Sequence, residues 1–421
     1  MAHKIFLITK SFPYGNTESS FVTLEYNCIR EKFEVTVLAA ETDMVTEKTY
    51  SGAINAEQIR SESGIWEKAF SFIRFLLTKE CYIEIADIVK THKSVVKRIF
   101  RAFMFGTAAE TFFRRFVKAT KISRETEAIV YFYWYDYRCF GLTMHKEKYP
   151  HIKIIARTHG YDLYDARELY GRQFFKEQMD RKLDRLIFAA EFAKEYYLNR
   201  YSKLDGRKYP LHRLGVSDKG MTLELRQSGW KPDTFLLLSC SHTITIKRVE
   251  RIIEGLSLVK AHNTIHWVHF GSGEQFTRIQ EYANQKLNNH NNVTFEFAGE
   301  VPNDEVLRFY REHYVGAFIT TTSTEGGSPV SVQEALSFGV PVIATAVGEL
   351  SVMVQENGIL LSENPSAEEV ADAVEKICDL YGTAAYYNMC QKSLNLFKDK
   401  FDAEKNYKEM VQELEQLAEE K

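Results

Sequence analysis

Twice along the chain, short apolar runs bounded by turn residues alternate with longer stretches of helical periodicity, and that rhythm leaves few folds open. Runs at 4–9, 34–39, 128–133, 152–157 and 185–189 form a first set; runs at 235–239, 264–270, 293–297, 315–320, 342–346 and 358–361 form a second. Strands separated by helices pair in parallel, because each crossover returns the chain to the same end of the sheet. A parallel sheet is covered on both faces, so its strands read as nearly continuous apolar runs. Two such sets in 421 residues exceed what one hydrophobic core usually serves. The expectation is an α/β protein of two Rossmann-like, doubly wound domains, 1–215 and 216–400, joined near the polar, irregular stretch 211–230. Residues 401–421 form a Glu- and Lys-rich helix, either solvated or folded back onto the first domain; the sequence leaves both open.

Composition narrows the class. Hydrophobic residues make up 45% and charged residues 26%, the balance of a folded globular protein. A formal charge of −3 lacks the basic excess of a nucleic-acid binder, so no nucleic-acid partner is expected. The six cysteines are scattered, without a C-x-x-C pair or neighbouring His clusters, which argues against a disulfide framework and against a zinc site. The opening apolar run is too short for a signal-peptide core, and no stretch approaches the ~18 apolar residues of a membrane span. A cytoplasmic protein, working at the inner face of the cell membrane if it meets one at all, is the expectation.

Residues 65–125 break the α/β rhythm. Between Lys93 and Lys121 this helical segment carries Lys93, Lys97, Arg98, Arg101, Arg114, Arg115, Lys118 and Lys121 against a single Glu110. Phe100, Phe103, Phe105, Phe112, Phe113 and Phe116 are interleaved with them. That pattern fits a peripheral membrane contact through residues 91–121. It equally fits helices whose Phe stripe packs inward while the cations are solvated, and the two readings stand side by side.

The richest local chemistry lies between Thr320 and Thr345. A strand ends near Thr320 and enters a polar, glycine-rich loop with Gly326 and Gly327. Ser328 is a good N-cap and Pro329 suits a first helical position, while Gly339 is a natural C-terminal stop. A helix N-terminus with free N–H groups is an anion site, and here it is formed by Gly327, Ser328, Pro329 and Val330. Glu334 lies about two turns up that helix. A carboxylate repels phosphate, so it suits a neutral diol such as ribose. Glu325, in the loop, is placed for another polar part of a ligand. An ordinary strand–loop–helix with two unremarkable acids is the bland alternative, less economical for so many polar groups in one loop.

A second loop, Ser239-Cys240-Ser241-His242-Thr243-Ile244-Thr245-Ile246-Lys247-Arg248, also joins a strand to a helix. Two cations at a helix start oppose the macrodipole, so an anion beside them is a sensible compensation. The next strand runs into His269-Phe270-Gly271-Ser272-Gly273, where a bare G-x-G is weak evidence by itself. In the first half, Arg157-Thr158-His159-Gly160-Tyr161-Asp162 follows a strand, and Gly15 in the loop 11–21 permits close backbone approach to a ligand.

Taken in order, these stretches resemble glycosyltransferase family 4, the retaining enzymes of the GT-B fold. Glu325 to Glu334 with the strand Gly339-Val340-Pro341-Val342-Ile343-Ala344-Thr345 resembles that family's E-x7-E element and its G-x-P-V-I-A-T strand. The 157–164 segment resembles its R-x-H-G-Y-D-L-Y stretch, Tyr131-Phe132-Tyr133-Trp134 its Y-x-Y-W strand, and 11–21 its opening loop. The likeness recurs from about residue 4 to residue 380; only 45–125 has no counterpart. It implies two domains facing a central cleft, the first holding the acceptor and the second a nucleotide-diphosphate sugar, of UDP or GDP type, with no metal and no other cofactor.

By the same resemblance Glu325 and His159 are the catalytic candidates, and Glu334 holds the ribose. Lys247, Arg248 and the helix start from Gly327 to Val330 would hold the diphosphate. Gly15, Ser241, His242, Gly271 and Gly273 would line donor or acceptor loops. Two departures stand out: Glu325 and Glu334 are nine apart where the motif has eight, and His242 occupies the place of an expected arginine. The implied activity is retaining transfer of a sugar to a glycan or lipid-linked glycan in cell-surface polysaccharide synthesis. The two departures also fit a non-catalytic, glycosyltransferase-like scaffold of a membrane assembly.

Overall fold

A computed structural model describes the chain except residues 1–2, 16–17, 42–46, 61, 92–93, 202–207, 230–232, 261–262, 326 and 421. It divides into two compact units, 1–213 with 407–421, and 214–406.

The first unit holds six strands: β1 (Lys4–Thr9), β2 (Glu34–Ala39), β3 (Ala56–Gln58), β4 (Ala128–Phe132), β5 (Ile152–Arg157) and β6 (Arg185–Ile187). They lie in the order β3-β2-β1-β4-β5-β6, every pairing parallel. Along β1, Ile5 and Leu7 enter one core while Phe6 and Ile8 enter the other, the period-two alternation of a sheet buried on both faces. Residues 407–421 belong to this unit: Met410, Val411, Leu414 and Leu417 of the helix Ala403–Glu419 fill the core of the Ile5/Leu7 face.

The second unit repeats the plan with β7 (Phe235–Cys240), β8 (Ile265–Phe270), β9 (Val293–Gly299), β10 (Val315–Thr320), β11 (Val342–Thr345) and β12 (Gly358–Leu361), in the order β12-β11-β10-β7-β8-β9, again all parallel. Phe235, Leu237, Trp267 and Ile319 face one core; Leu236, Leu238, Val268 and Phe318 face the other.

The eleven apolar runs all become strands. Two differences have simple causes. β3 was invisible because it is a three-residue, largely polar edge strand without an apolar run. β6 stops at Ile187 because Phe188 turns away to bridge Leu211, its N–H donating to Pro210 O at 3.0 Å.

The 65–125 segment forms three helices, Ile65–Leu76, Lys79–Thr91 and Val95–Thr120. Gly106 permits their close approach, since a Cβ there would lie 2.2 Å from the Phe75 ring. Phe112, Phe113 and Phe116 point into the core, Phe103 and Phe105 are half-buried against it, and Phe100 is exposed. Many of the expected free cations have partners: Arg115 pairs with Glu67 at 2.6 Å, Arg101 with Glu168 at 2.8 Å, and Arg98 donates to Tyr170 O. Among the described residues, no helix is long and apolar enough to cross a membrane.

A buried ion pair braces the first sheet. Arg157, at the end of β5, donates to Glu25 Oε1 at 2.9 Å, to Tyr131 Oη at 2.8 Å and to His212 O at 2.8 Å, and Tyr131 itself donates to Glu25. Both charges are fully buried. Removing one partner strands the other charge in the core, so Glu25→Ala should cost about 3–5 kcal/mol. Denaturant unfolding checks this; a shift below about 1 kcal/mol would show the pair to be dispensable.

Candidate functional site

In an open α/β sheet, ligand crevices form at the carboxyl ends of the strands where the strand order reverses. In the second unit that point lies between β7 and β10. The loops leaving those two strands are 241–248 and 321–329, the two stretches that stood out in the sequence.

They are stitched together by backbone. Ser323 N donates to Ile246 O at 2.7 Å, Thr322 Oγ1 to the same carbonyl at 3.1 Å, and Thr321 Oγ1 to Arg248 O at 2.9 Å. Arg248, in the left-handed region at φ 49°, answers in the other direction. Its guanidinium donates to Thr321 O at 2.7 Å, Thr322 O at 2.8 Å, Glu363 O at 2.8 Å and Asn364 Oδ1 at 3.1 Å. Four of its five N–H donors thus reach protein oxygens, and Arg248, a candidate for the donor diphosphate, clamps the loop after β10. Lys247 projects differently. Its Nζ donates to Glu325 Oε2 at 2.7 Å, both side chains being only partly exposed. The compensating anion expected beside two cations is thus the protein's own Glu325.

Gly348 fixes where Glu325 sits. At φ 54°, a Cβ there would lie 2.1 Å from Glu325 O, so only glycine lets the two segments touch. Gly271 and Gly273 have the same explanation. A Cβ on Gly271, at φ 122°, would meet Ser241 O at 2.1 Å, and one on Gly273 would meet Thr243 O at 3.0 Å. These glycines carry the loop 241–245, with Ser241 N donating to Phe270 O and Thr243 N to Ser272 O. His242 is exposed at the tip of that loop.

The helix after the loop begins at Val330, with Pro329 as its cap in extended conformation. Ser328 is therefore one residue too early to cap it. Its hydroxyl is buried and points to Met353 Sδ at 3.8 Å, and its carbonyl accepts from Gln333 Nε2. Val332 N already donates to Pro329 O at 3.2 Å, so the first-turn N–H groups left for a ligand are those of Val330 and Ser331, and nothing lies within 4 Å of the place a side chain on Gly327 would take. Gly326 lies outside the described residues.

Glu334 is 4% exposed, and its Oε1 accepts from Asn303 Nδ2 at 2.7 Å. Burial raises its pKa, opposed by that hydrogen bond and by Lys219. Asn303 opens the helix Asn303–Glu312 after β9, 31 residues from Glu334 in sequence. Only the sheet order brings it there; Pro302 before it marks a helix start, not a partner. For a carboxylate with a raised folded pKa, the cost of ionisation grows as pH rises above the ordinary carboxylate range. Glu334→Gln keeps the acceptor for Asn303 and removes the charge, so the unfolding midpoint at pH 7 should hold or rise. A clear fall in that midpoint would mean that the ionised carboxylate stabilises the fold.

In the first unit the corresponding reversal lies between β1 and β4. Here Glu18, buried, accepts from the backbone N–H groups of Lys10, Ser11 and Phe12 and from Trp134 Nε1. It ties the loop after β1 to the loop after β4. Lys10 Nζ stands 3.8 Å from the Tyr161 ring and 4.4 Å from that of Trp134. The His159 ring lies 4.2 Å from that of Trp134, tilted by 43°, and its Nε2 is 3.0 Å from Tyr133 O. Asp162 accepts the backbone N–H of His159 at 2.6 Å and that of Tyr135 at 2.8 Å. Gly15, at φ 66°, lies in the same loop as Lys10. Lys10, Glu18 and Asn303 are the residues that motif reading passed over.

Burial, reinforced by Arg157, pushes the pKa of His159 down to about 3. The imidazole is neutral at pH 7, its Nε2–H donating to Tyr133 O and its Nδ1 left as an acceptor. The folded state binds fewer protons than the unfolded one between about 3 and 6.5, so stability is lost as pH falls through that window. His159 should show no imidazole titration above pH 5 by NMR; a midpoint near 6.5 would contradict the enclosed, neutral ring.

Against known proteins, residues 221–393 match the family described as Glycosyl transferases group 1. No curated protein sequence matches the chain significantly. Solved structures align over nearly the whole chain. Sucrose-phosphate synthase from Thermosynechococcus elongatus superposes with a TM-score of 0.69 at 16% identity, covering 99% of each chain. The lipopolysaccharide outer core galactosyltransferase WaaB gives 0.66 at 15%, covering 97% of this chain and 99% of its own. HepE of Anabaena, in complex with UDP and glucose, gives 0.66 at 12%, covering 98% and 100%. At such identities the likeness is one of fold, and that fold is the two-sheet, doubly wound architecture of the GT-B glycosyltransferases.

Proposed function

We propose that this chain is a glycosyltransferase of family 4, moving a sugar from a nucleotide-diphosphate donor with retention of configuration. The observation that carries the reading is the pairing of Lys247 with Glu325 at the β7/β10 reversal, beside a helix N-terminus and with Glu334 on the same helix. The family match over 221–393 and the GT-B architecture support it.

The chemistry assigns each group a task. Donor phosphate oxygens compete with Glu325 for the Lys247 ammonium and take up the backbone N–H groups of Gly327, Ser328 and Val330, with Pro329, which has no N–H, setting the chain direction between them. Glu334 accepts hydrogen bonds from the ribose diol. Glu325, released from Lys247, turns its carboxylate to hydroxyls of the donor sugar. The bond from the anomeric carbon to the diphosphate oxygen breaks, the acceptor hydroxyl oxygen bonds to that carbon, and its proton passes to the departing diphosphate oxygen. Charge growing on the departing diphosphate is met by Lys247 and the helix N-terminus, which is electrostatic catalysis without a covalent protein intermediate. No metal enters this scheme. His159 Nδ1, as an acceptor, orients a sugar hydroxyl.

HepE was solved with UDP and glucose, and a mutant of S. aureus TarM with Fondaparinux, alpha-GlcNAc-glycerol and UDP, which makes UDP the first nucleotide to try here. The acceptor we assign is a glycan, carried on a lipid in cell-surface polysaccharide assembly, with a peripheral membrane contact through the helices of the first unit.

Calorimetry with UDP and GDP tests the donor site directly. One of them should bind at micromolar to low millimolar affinity, and Glu334→Gln should weaken it at least tenfold, about the worth of charge-assisted hydrogen bonds to a diol. Lys247→Ala should lower kcat/KM for the donor about a hundredfold, as loss of one electrostatic catalyst does. Absence of binding by either nucleotide at millimolar concentration would favour a non-catalytic scaffold instead.

A further inference from the structure

The first unit carries an apolar surface that neither its sheet nor its chemistry uses. On the helix Ile65–Leu76, the residues Ile65, Trp66, Phe70 and Ile73, followed by Leu77, form a continuous exposed face, with Trp66 86% exposed. Val96, Phe100 and Met104, one turn apart on the helix Val95–Thr120, extend it. Water should drive such a face inward, and here it is left outside.

A crevice of about 580 Å³ opens beside it, in the range of pockets that enclose organic ligands. Its lining grades from buried Phe112 through half-buried Phe72 and Phe103 to exposed Ile65 and Phe100. Three cations also line it: Arg60, Lys68 and Arg115. Arg115 is tied to Glu67, whereas Lys68, like Lys97 on the neighbouring helix, has no acidic partner among the described residues. Together the two helices carry eight Lys or Arg against two Glu, in a chain whose net charge is −3. Arg114 lies over the exposed Phe70 ring at 4.6 Å, so charge and apolar surface interleave.

A protein partner would answer the apolar face but gives no reason for a narrow apolar crevice edged by cations. A bilayer answers both, because an interfacial helix places aromatic residues at the acyl boundary and its cations among headgroup phosphates. We infer that this face docks on an anionic phospholipid bilayer, with the crevice taking one acyl chain and Arg60 and Lys68 meeting its phosphate. This rests on the proposed membrane-linked acceptor for its purpose, and it moves the contact from residues 91–121 to the outer face of 65–77 with the start of the helix Val95–Thr120.

The test uses the full chain with vesicles of phosphatidylcholine, with and without phosphatidylglycerol. Binding to the anionic vesicles, with a blue shift of Trp66 emission that Trp66→Phe removes, is the expected result. Trp66→Ser/Phe70→Ser should weaken binding at least tenfold, the loss expected when two large side chains no longer leave water. Ala69→Glu, an exposed change on the crevice wall, should weaken it independently, with unchanged circular dichroism in both variants. Failure of the wild type to bind, equal binding to neutral vesicles, or unchanged binding by the variants each overturns the proposal. A dimer that these substitutions dissociate would also overturn it, by assigning the face to a second copy. UDP and GDP calorimetry on the same variants keeps this outcome separate from that of the donor site.

Discussion

The Arg248 guanidinium, bonded to the carbonyls of Thr321 and Thr322, is the interaction on which the second unit's site depends. It joins a loop after β7 to a loop after β10, strands adjacent in the sheet but 75 residues apart from the end of one to the start of the other. A charged donor on a backbone carbonyl is stronger than a neutral one. With it in place, Lys247 and Glu325 face each other rather than wandering with two separate loops. Gly348, Gly271 and Gly273 complete the frame by removing the side chains that would hold neighbouring backbones apart.

The first unit solves the same problem with the opposite charge. There a carboxylate, Glu18, gathers three backbone N–H groups and the Trp134 indole, and so fixes the loop after β1 against the loop after β4. Both devices work because a parallel sheet directs all its strand ends to one side, where loops of distant sequence must meet. Each unit thus uses one buried or half-buried ion to satisfy a loop that has no ladder of its own.

The Lys247–Glu325 pair also bears on how a donor is received. An ammonium already paired at 2.7 Å is not waiting for phosphate; it must exchange one anion for another. That exchange moves Glu325 as well, so binding of the diphosphate and placement of the catalytic candidate are one event. Glu334 needs no such rearrangement, being held by Asn303 in its buried position.

The sequence by itself determined the strands, their grouping into two sets and the polar loops that carry the chemistry, because apolar runs in parallel sheets are local signals and need no knowledge of neighbours. It also located Glu325, Glu334 and Lys247. Tertiary structure alone decided what those residues touch. Nothing in the motif told that Arg248 bonds four oxygens from 321–322 and 363–364; Ser328 read as a cap until Pro329 took an extended conformation; Asn303 had no motif at all. In the 65–125 helices the pattern of Phe and cations was legible, but which Phe turned inward depended on the sheet they cover. Periodicity records how much of a segment must be buried, and only the packing partner fixes which face is left to water.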